Sequence, residues 1–361
     1  MFRKIDRLVE KARASSRLGE CVLGLETGDG TTSYRFGQGD RPFFIASATK
    51  LYVVALLVRL RERGLVDWDA PFVSYLPGLD TTRLHVLRGI DYTPRITIRH
   101  LLSHTSGLPD YFEGRRHDGR PIVERVLARD FGWTVEHVME WSRAQQHPAF
   151  VPGEVGRALY SDTNYQLLGA IIEHACKLPF SDALTNEITR PLGLGATWCF
   201  TPATSRRYGE VAAMRHGSRE LQIPLAMASV GADGGVVSTV DDSMRFLRAF
   251  FRGGLVSEPV LQELHGTWRR IFFPLKYGLG VMRFSMPMIL SPFRRFPALI
   301  GHSGASGAFM FWCPQQDVFV SGTVNQMANR SLPYRLMLQA ITIFPEEIRA
   351  ARARSTPPHG R

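Results

Sequence analysis

The stretch PFFIASATKLYVVALLVRL, residues 42–60, joins a short polar start to a long apolar run. The run is apolar on most faces and ends near Gly64, which predicts a buried helix. Ser47 and Lys50 stand three residues apart near its start, so on a helix their side chains share one face. A lysine in an apolar setting can take the proton of a neighbouring serine, which makes the serine a nucleophile. An ordinary serine cap explains the same residues, so the pair alone decides nothing.

A second segment, RALYSDTNYQLLGAIIE at residues 157–173, places Tyr160 and Asp162 just before an amphipathic helix. A phenol accepts a proton once it is ionised, so Tyr160 could share the base role with a lysine. The alternative is a core tyrosine whose hydroxyl is hydrogen-bonded.

A third segment, LIGHSGASGAFMFW at residues 299–312, places His302, Ser303 and Gly304 on a predicted strand. Glycine lets a backbone approach a substrate closely, and a donor side chain beside it could hold a carboxylate or carbonyl. A glycine-rich hairpin without any site is the alternative.

The composition indicates a large globular protein. The chain has 361 residues, 44% of them hydrophobic, which favours one two-lobed unit or two domains. Its net charge of +11 would suit nucleic acid, but the basic residues form dispersed pairs and no nucleic-acid-binding motif accompanies them. We therefore expect a small-molecule partner and no nucleic acid. The pairs are Arg115 and Arg116, Arg206 and Arg207, Arg269 and Arg270, and Arg294 and Arg295.

The cysteines and the termini indicate a reducing environment. Cys21, Cys176, Cys199 and Cys313 are far apart and lack C-x-x-C spacing, so we expect reduced thiols, with no metal site and no disulfide. The N-terminal residues follow helical spacing and contain no apolar core of signal-peptide length. No apolar run approaches the roughly 20 residues of a membrane-spanning helix. The sequence thus predicts a cytoplasmic protein.

Strand patterns lie at both ends of the chain and helical patterns in the middle. A hairpin is predicted at residues 21–37 and short strands from residue 276 onward, with helices between them. This order favours an α+β fold, in which the N- and C-terminal segments form one antiparallel sheet flanked by helices. We expect a single unit over residues 1–345, with an α/β lobe from about 1–60 and 240–345 and a mostly helical lobe over 61–239. The segment 346–361, which is basic overall, is predicted to be a flexible tail.

Taken in order, the three segments resemble the motifs of the serine β-lactamase/penicillin-binding-protein-like family, in its class C-type branch. That branch includes class C β-lactamases, D-Ala-D-Ala carboxypeptidases, D-aminopeptidases and family VIII esterases. The motifs S-x-x-K, Y-x-N and K/H-x-G are matched here by Ser47 to Lys50, Tyr160 to Asp162 and His302 to Gly304. The flanking segments ITIRHLLSHTSGLP, GADGGVVSTVDDSMRF and YGLGV agree too. The ordered set is far more specific than any one motif.

The resemblance implies a β-lactamase/transpeptidase-like fold and a serine hydrolase. Ser47 would be acylated, while Lys50 and Tyr160 would share the general-base and general-acid duties. The backbone N–H groups of Ser47 and Ala305 would form the oxyanion hole. Asp162, His302, Ser303 and Gly304 would contact the substrate, and no metal or organic cofactor is implied. The substrate would be a small ester, amide or peptide.

Two positions depart from the family pattern. Asp162 stands where the family has asparagine, and an ionised carboxylate accepts hydrogen bonds but donates none. It would repel the amide carbonyl of a β-lactam and favour the charged form of a nearby amine, shifting the base role towards Tyr160. A protonated Asp162 could still donate. His302 replaces the usual lysine, and a neutral imidazole holds a carboxylate less firmly. We therefore expect weak β-lactamase activity and a preference for esters or amine-bearing substrates.

The segment RFSMPMILSPFRRFPALIG, residues 283–301, is apolar and carries an arginine pair. It could line an acyl-binding cleft, touch a membrane surface, or form a hairpin with a covered face.

Two rival classes stay open. LIGHSGASG nearly matches the nucleophile elbow of an α/β-hydrolase, with Ser303 as nucleophile. That fold needs a histidine downstream, and only His359 follows. A non-catalytic binding protein on the same scaffold is the second rival, because a fold does not imply a function.

Overall fold

The computed structural model describes residues 1–14, 20–114, 119–145, 147–290 and 295–355. Of the arginine pairs in the sequence, Arg115, Arg116 and Arg294 lie outside these ranges. The strands within them are β1 (Val22–Thr27), β2 (Ser33–Phe36), β3 (Phe43–Phe44), β4 (Val86–Leu87), β5 (Ile90–Asp91), β6 (Trp198–Cys199), β7 (Arg215–His216), β8 (Arg219–Glu220), β9 (Val236–Ser238), β10 (Arg269–Phe272), β11 (Leu275–Tyr277), β12 (Met282–Phe284), β13 (Leu299–Ser303), β14 (Ala308–Cys313) and β15 (Val318–Thr323).

The α-helices in the same ranges are α1 (Arg3–Arg13), α2 (Thr49–Glu62), α3 (Ile98–Leu102), α4 (Ile122–Ala128), α5 (Val135–Gln145), α6 (Asp162–Cys176), α7 (Phe180–Leu184), α8 (Pro224–Ser229), α9 (Gly231–Gly234), α10 (Val240–Phe251), α11 (Glu258–His265) and α12 (Leu332–Ser355). Short 3-10 helices occupy Ala46–Ala48, Phe72–Tyr75, Thr93–Arg95, Pro202–Glu210 and Met288–Leu290, and α7 continues into a π turn at Thr185–Thr189. Within these ranges, no helix is both long and apolar enough to cross a bilayer.

The two ends of the chain meet in one antiparallel sheet, and this confirms the predicted α+β fold. In the described residues the sheet runs β10-β11-β12-β13-β14-β15-β1-β2. Leu25 of β1 pairs with Val320 of β15, which places the N-terminal hairpin against the C-terminal strands. The central strands β14 and β15 are buried almost throughout, because helices cover both faces of the sheet. On one face lie α1 and α12, and α10 packs on the other.

Helices from the middle of the chain pack around α2. Every residue of α2 from Thr49 to Val58 is buried, so the predicted all-round burial is confirmed. α2 packs against α6 and α9, which bring two further segments of the chain to its N-terminal end. A small sheet of β3, β9 and β6 joins the lobes, with Phe43 paired to Ser238 directly before the start of α2.

The predicted flexible tail is wrong for residues 346–355, which continue helix α12 to Ser355. The physical reason is long-range packing that local composition does not reveal. Ile348 is buried beside α1, and the carboxylate of Glu347 accepts hydrogen bonds from the Lys4 and Ile5 backbone N–H groups at 2.9 and 3.3 Å. These bonds satisfy donors that the first turn of α1 leaves without helical partners. The last part of the predicted tail, 356–361, lies outside the described residues.

Two local details complete these elements. The N-cap of α10 is Thr239, whose hydroxyl accepts the Asp242 N–H at 3.2 Å. Asp241 and Asp242 occupy the first turn, where their negative charge interacts favourably with the helix dipole. The segment YGLGVMRF holds two strands, β11 and β12, separated by a turn around Gly280, whose φ of 73° suits glycine.

Candidate active site

Ser47 sits in a tight turn between β3 and α2. The turn, Ala46–Ala48, is a 3-10 helix, and Ala46 has a φ of 46°, in the left-handed region that non-glycine residues rarely adopt. Such a conformation costs roughly 1 kcal/mol or more, so the surrounding structure must hold it. The Thr49 hydroxyl helps to do so by accepting the Val236 N–H of β9 at 3.1 Å. Ser47 is half-buried and lines a cavity between the two lobes.

Lys50 lies one turn further along, fully buried beneath Ser47. Its Nζ donates to Asp162 Oδ1 at 2.7 Å and to the backbone oxygen of Asp233 at 2.7 Å. The ammonium lies 5.2 Å from the centre of the Tyr160 ring and 5.0 Å from that of Tyr165. A buried ammonium requires such compensation, because its transfer from water costs several kcal/mol.

Tyr160 comes from the loop that enters α6 and brings its phenol to Ser47. Burial, followed by the negative charge of Asp162, raises the pKa of Tyr160 well above its usual value. The nearby Ser47 side chain acts on this pKa in the opposite direction. The phenol is therefore neutral at physiological pH, and it lines the same cavity as Ser47. The structure thus brings together the serine, lysine and tyrosine that the sequence singled out.

Asp110 and Asp233 both lie within electrostatic range of Asp162, the carboxylate that binds the Lys50 ammonium. Burial raises the pKa of Asp162, an effect that the Lys50 charge opposes. Burial and the neighbouring Asp162 together raise the pKa of Asp110 well above its usual range and that of Asp233 to about 8. Asp233 Oδ2 accepts the Tyr111 hydroxyl at 2.8 Å and the Gln166 amide at 2.9 Å. Asp110 and Asp233 thus favour their protonated forms, whereas Asp162 is the carboxylate that pairs with Lys50.

Sequence reasoning missed Asp110 and Asp233. Asp110 accepts the Asp162 backbone N–H at 3.2 Å and so holds the start of α6. Asp233 supplies a backbone oxygen to Lys50 from α9. Asp233 lies within GADGGVVSTVDDSMRF, one of the segments that carry the family resemblance, and Asp110 directly follows another, ITIRHLLSHTSGLP. This was the available signal. Their proximity to Lys50 depends on lobe packing and cannot be deduced from spacing.

His302 was predicted to contact the substrate, but its side chain does not line the cavity. It is fully buried, with Nδ1 2.8 Å from the Ser303 backbone oxygen and Nε2 3.0 Å from the Tyr277 hydroxyl. Because a carbonyl only accepts, Nδ1 carries the proton and Nε2 accepts from Tyr277. Burial and the Lys50 charge lower the pKa of His302 to about 3. The imidazole is therefore a neutral partner of Tyr277, while its neighbours Ser303 and Gly304 reach the cavity wall.

Gly304 allows the end of β13 to approach the Ser47 turn. A Cβ atom at this position would lie 2.3 Å from the Ile45 backbone oxygen and 2.9 Å from the Ala46 Cβ, closer than real Cβ contacts come. Ala305 follows and lines the same cavity as Ser47. Any side chain at Gly304 would therefore push the two backbones apart.

The cavity between the lobes measures about 580 Å³ and is mostly apolar. Its polar lining includes Ser47, Tyr160 and Asp162. At the mouth, Arg330 forms a two-point ion pair with Glu113, one contact being 2.9 Å. The apolar lining includes Val123, Val126, Leu127, Met214, Ile223, Met227, Phe272, Leu275, Met282 and Phe284. In the described part of the chain, no group of three or more His, Cys, Asp or Glu residues is arranged to hold a metal.

Ser303 does not occupy a nucleophile elbow. That motif places the serine on a sharp turn from strand to helix, whereas β13 is followed by a turn and the antiparallel strand β14. The Ser303 hydroxyl is hydrogen-bonded to that of Tyr334 on α12. The α/β-hydrolase alternative is therefore excluded by the fold.

Comparison with known proteins agrees with this architecture. A family model described as Beta-lactamase matches residues 5–342. Penicillin-binding protein 4* of Bacillus subtilis is 24% identical over 70% of this chain, and the carboxypeptidase/endopeptidase AmpH of Escherichia coli is 28% identical over 78%. The matched regions span 57% and 70% of those relatives' own lengths.

Among solved structures, the D-amino acid amidase of Ochrobactrum anthropi SV3 superposes with a TM-score of 0.71. The sequences are 25% identical, and the match covers 93% of this chain and 99% of the amidase. The names of AmpH and of the amidase denote hydrolases with different substrates.

Proposed function

This chain belongs to the Beta-lactamase family of serine hydrolases, and on that premise we propose that it cleaves carboxylic esters or amides through an acyl-enzyme on Ser47. The single observation that carries the proposal is that Ser47 and Tyr160 line the same cavity while the buried Lys50 ammonium lies 5.2 Å from the centre of the Tyr160 ring. A serine needs a base within reach, and Tyr160 and Lys50 are the candidates.

In the first step, Oγ of Ser47 attacks the substrate carbonyl carbon while its proton passes to the Tyr160–Lys50 pair. The raised pKa of Tyr160 disfavours a standing phenolate, so the phenol relays a proton rather than storing charge. The pair can accept the serine proton because the Lys50 ammonium first passes a proton to Asp162, 2.7 Å away, whose pKa burial has raised. The neutral Lys50 amine then receives the serine proton through the phenol. The pair then returns a proton to the leaving alkoxide or amine.

The developing oxyanion needs donors that are already in position. We assign this role to the backbone N–H groups of Ser47 and Ala305, two residues that line the same end of the cavity. The close approach that Gly304 permits keeps these two segments together. In the second step, water attacks the acyl-enzyme with the same groups acting in reverse, and Ser47 recovers its proton.

The cavity favours esters with apolar acyl groups over β-lactams. Its lining is apolar, so burial of a hydrocarbon chain stabilises binding by roughly 0.8 kcal/mol per methylene. Asp162 faces this cavity as an acceptor, which opposes the amide carbonyl of a lactam. The neutral, buried His302 offers no charge for a lactam carboxylate.

Two other functions are compatible with this site. A D,D-carboxypeptidase or D-aminopeptidase would use the same three residues, and AmpH is a named carboxypeptidase relative. A non-catalytic binding protein is the alternative of a different class. It would keep the cavity but would leave Ser47 unreactive.

Hydrolysis of p-nitrophenyl butyrate tests the proposal. The wild type should turn over, Ser47→Ala should lose at least about a thousandfold in kcat, and Ser303→Ala should retain most activity. Absence of turnover in the wild type would favour a narrow peptidase or a binding protein. Equal turnover by the wild type and Ser47→Ala would refute Ser47 as the nucleophile.

A further inference from the structure

Large apolar side chains are exposed together at one end of the main sheet. Phe272 and Phe273, at the tip of the β10–β11 hairpin, are 50% and 62% exposed. Met288 and Ile289, which follow β12, are 59% and 84% exposed. Because Leu275 pairs with both Phe272 and Phe284, the hairpin tip and the end of β12 lie at the same end of the sheet. We call these four residues the apolar tip.

The apolar tip borders the entrance of the candidate active site. Phe272, Phe273 and Pro274 line the cavity, as does Met286 in the segment that follows β12. The Phe272 ring lies 5.7 Å from that of Tyr160. The surface around the tip is thus continuous with the apolar interior of the cavity.

A row of cations crosses the three strands behind the tip. Arg270 pairs directly with Lys276, and Lys276 with Arg283, so all three project from one face of the sheet. Like charges directly opposite each other are destabilising in an antiparallel pair. None of the three forms an ion pair with a carboxylate in the described part of the chain. We call Arg270, Lys276 and Arg283 the cationic row.

We propose that the apolar tip and the cationic row together dock on an anionic lipid surface, with the cavity mouth facing the membrane. Exposed aromatic and aliphatic side chains enter the interface, while cations just behind them contact anionic head groups. This arrangement also relieves the repulsion within the row. Combined with the proposed function, on which this step rests, it makes acyl esters held in a lipid surface the substrate class.

Charge decides between this occupant and a second copy of the chain. The protein carries a net charge of +11, and the exposed face of the hairpin is cationic. Self-association through the tip would bring two cationic rows together, which opposes a dimer. An anionic surface complements both the row and the overall charge.

Vesicle co-sedimentation tests the docking without any turnover, when it is performed with the Ser47→Ala variant. The probes are vesicles of phosphatidylcholine alone and of phosphatidylcholine with 30% phosphatidylglycerol, a composition chosen to be about one-third anionic. We expect binding to the anionic vesicles and at least about tenfold weaker partitioning to the neutral ones. Raising the salt concentration should weaken binding to the anionic vesicles.

Variants separate the tip from the row. Phe273→Ser with Ile289→Ser should weaken partitioning to anionic vesicles at least about tenfold. The control pair, Leu65→Ser with Leu178→Ser, alters exposed leucines beside a different surface pocket and should bind like the parent. Arg270→Gln with Lys276→Gln should also weaken binding about tenfold or more. Its control, Arg190→Gln with Arg206→Gln, removes the same charge from exposed positions elsewhere and should have a small effect.

Circular dichroism and thermal unfolding of each variant check that it is folded. Equal losses in the charge variant and its control would mean unspecific attraction and would overturn the proposal. Absence of binding to anionic vesicles at low salt would overturn it too, as would a dimer that the tip variant dissolves. Hydrolysis of p-nitrophenyl butyrate by the wild type reports separately on the proposed function, so the two can fail independently.

Discussion

At the scale of single residues, Asp162 distinguishes this site from the pattern that it resembles. Its carboxylate binds the buried Lys50 ammonium at 2.7 Å, in a place where an amide would leave that charge uncompensated. The same carboxylate faces the cavity and can only accept hydrogen bonds while it is ionised. One side chain thus stabilises the lysine and disfavours carbonyl groups that need a donor.

The variant Asp162→Asn tests this balance. An amide can donate to a lactam carbonyl, so we expect hydrolysis of the cephalosporin nitrocefin to rise about tenfold or more relative to p-nitrophenyl butyrate. Glu113→Gln, which removes a carboxylate from the mouth but not from Lys50, is the matched control and should leave the ratio of rates unchanged. Efficient nitrocefin hydrolysis by the wild type would contradict the account, and so would an Asp162→Asn variant without any gain.

The same substitution should weaken the fold. Removing one partner of a buried ion pair leaves the other charge uncompensated, and we expect Asp162→Asn to lower the free energy of unfolding by about 3 kcal/mol. Denaturant unfolding at neutral pH measures this difference. A loss below about 1 kcal/mol would mean that the backbone oxygen of Asp233 suffices to hold Lys50.

The raised pKa of Asp233 predicts how the free energy of unfolding depends on pH. Its pKa is raised to about 8 in the folded protein and is near 3.8 when unfolded, so the folded state keeps a proton that the unfolded state has released. Its contribution to stability is present below pH 4 and is lost as pH rises towards 8. We expect Asp233→Asn to reduce the fall in unfolding free energy between pH 5 and pH 8 by at least about 1.4 kcal/mol. Guanidinium unfolding at the two pH values would show an unchanged fall if Asp233 were ionised throughout.

At the scale of secondary-structure elements, the approach of β13 to the Ser47 turn fixes the geometry of the site. We expect Gly304→Ala to reduce kcat for p-nitrophenyl butyrate by about a hundredfold or more, because the added Cβ would meet the Ile45 oxygen at 2.3 Å. Gly78→Ala is the control, since a Cβ there meets no atom within 4 Å. An active Gly304→Ala enzyme would show that the oxyanion hole does not depend on this contact.

The pairing of α12 with α1 is a second prediction at this scale. Glu347→Ala removes the acceptor of two N–H groups at the start of α1, and we expect it to lower the unfolding free energy by about 1–2 kcal/mol. Glu62→Ala, at the exposed end of α2, should change it by less than about 0.5 kcal/mol. Equal effects of the two substitutions would mean that α1 needs no help from α12.

At the scale of the whole molecule, the features that the sequence predicted correctly are those that hydrophobic periodicity and the order of the motifs determine. The antiparallel sheet built from both ends, the buried α2 and the family resemblance all followed from such local patterns. The packing of the lobes could not be predicted from such local patterns, because it joins residues that are far apart in the chain. Asp233 contacts Lys50 because α9 packs against α2. Helix α12 continues through its basic C-terminal part because α1 packs beside it.

His302 illustrates the same limit from the opposite direction. The sequence places it on a strand beside a glycine but does not decide on which face of the strand the imidazole lies. The structure pairs it with Tyr277 of β11, across the intervening strand β12, and burial then keeps it neutral. The motif around His302 predicted a substrate contact, but it does not encode the buried environment in which His302 contacts Tyr277 instead.

The central claim is that Ser47 is the residue that becomes acylated. The most direct measurement is intact-protein mass spectrometry after treatment with a fluorophosphonate, followed by peptide mapping of the labelled chain. We predict one adduct per chain, located on Ser47, and no adduct on Ser47→Ala. A label on Ser303, or a wild type that remains unmodified while it hydrolyses p-nitrophenyl butyrate, would contradict the account.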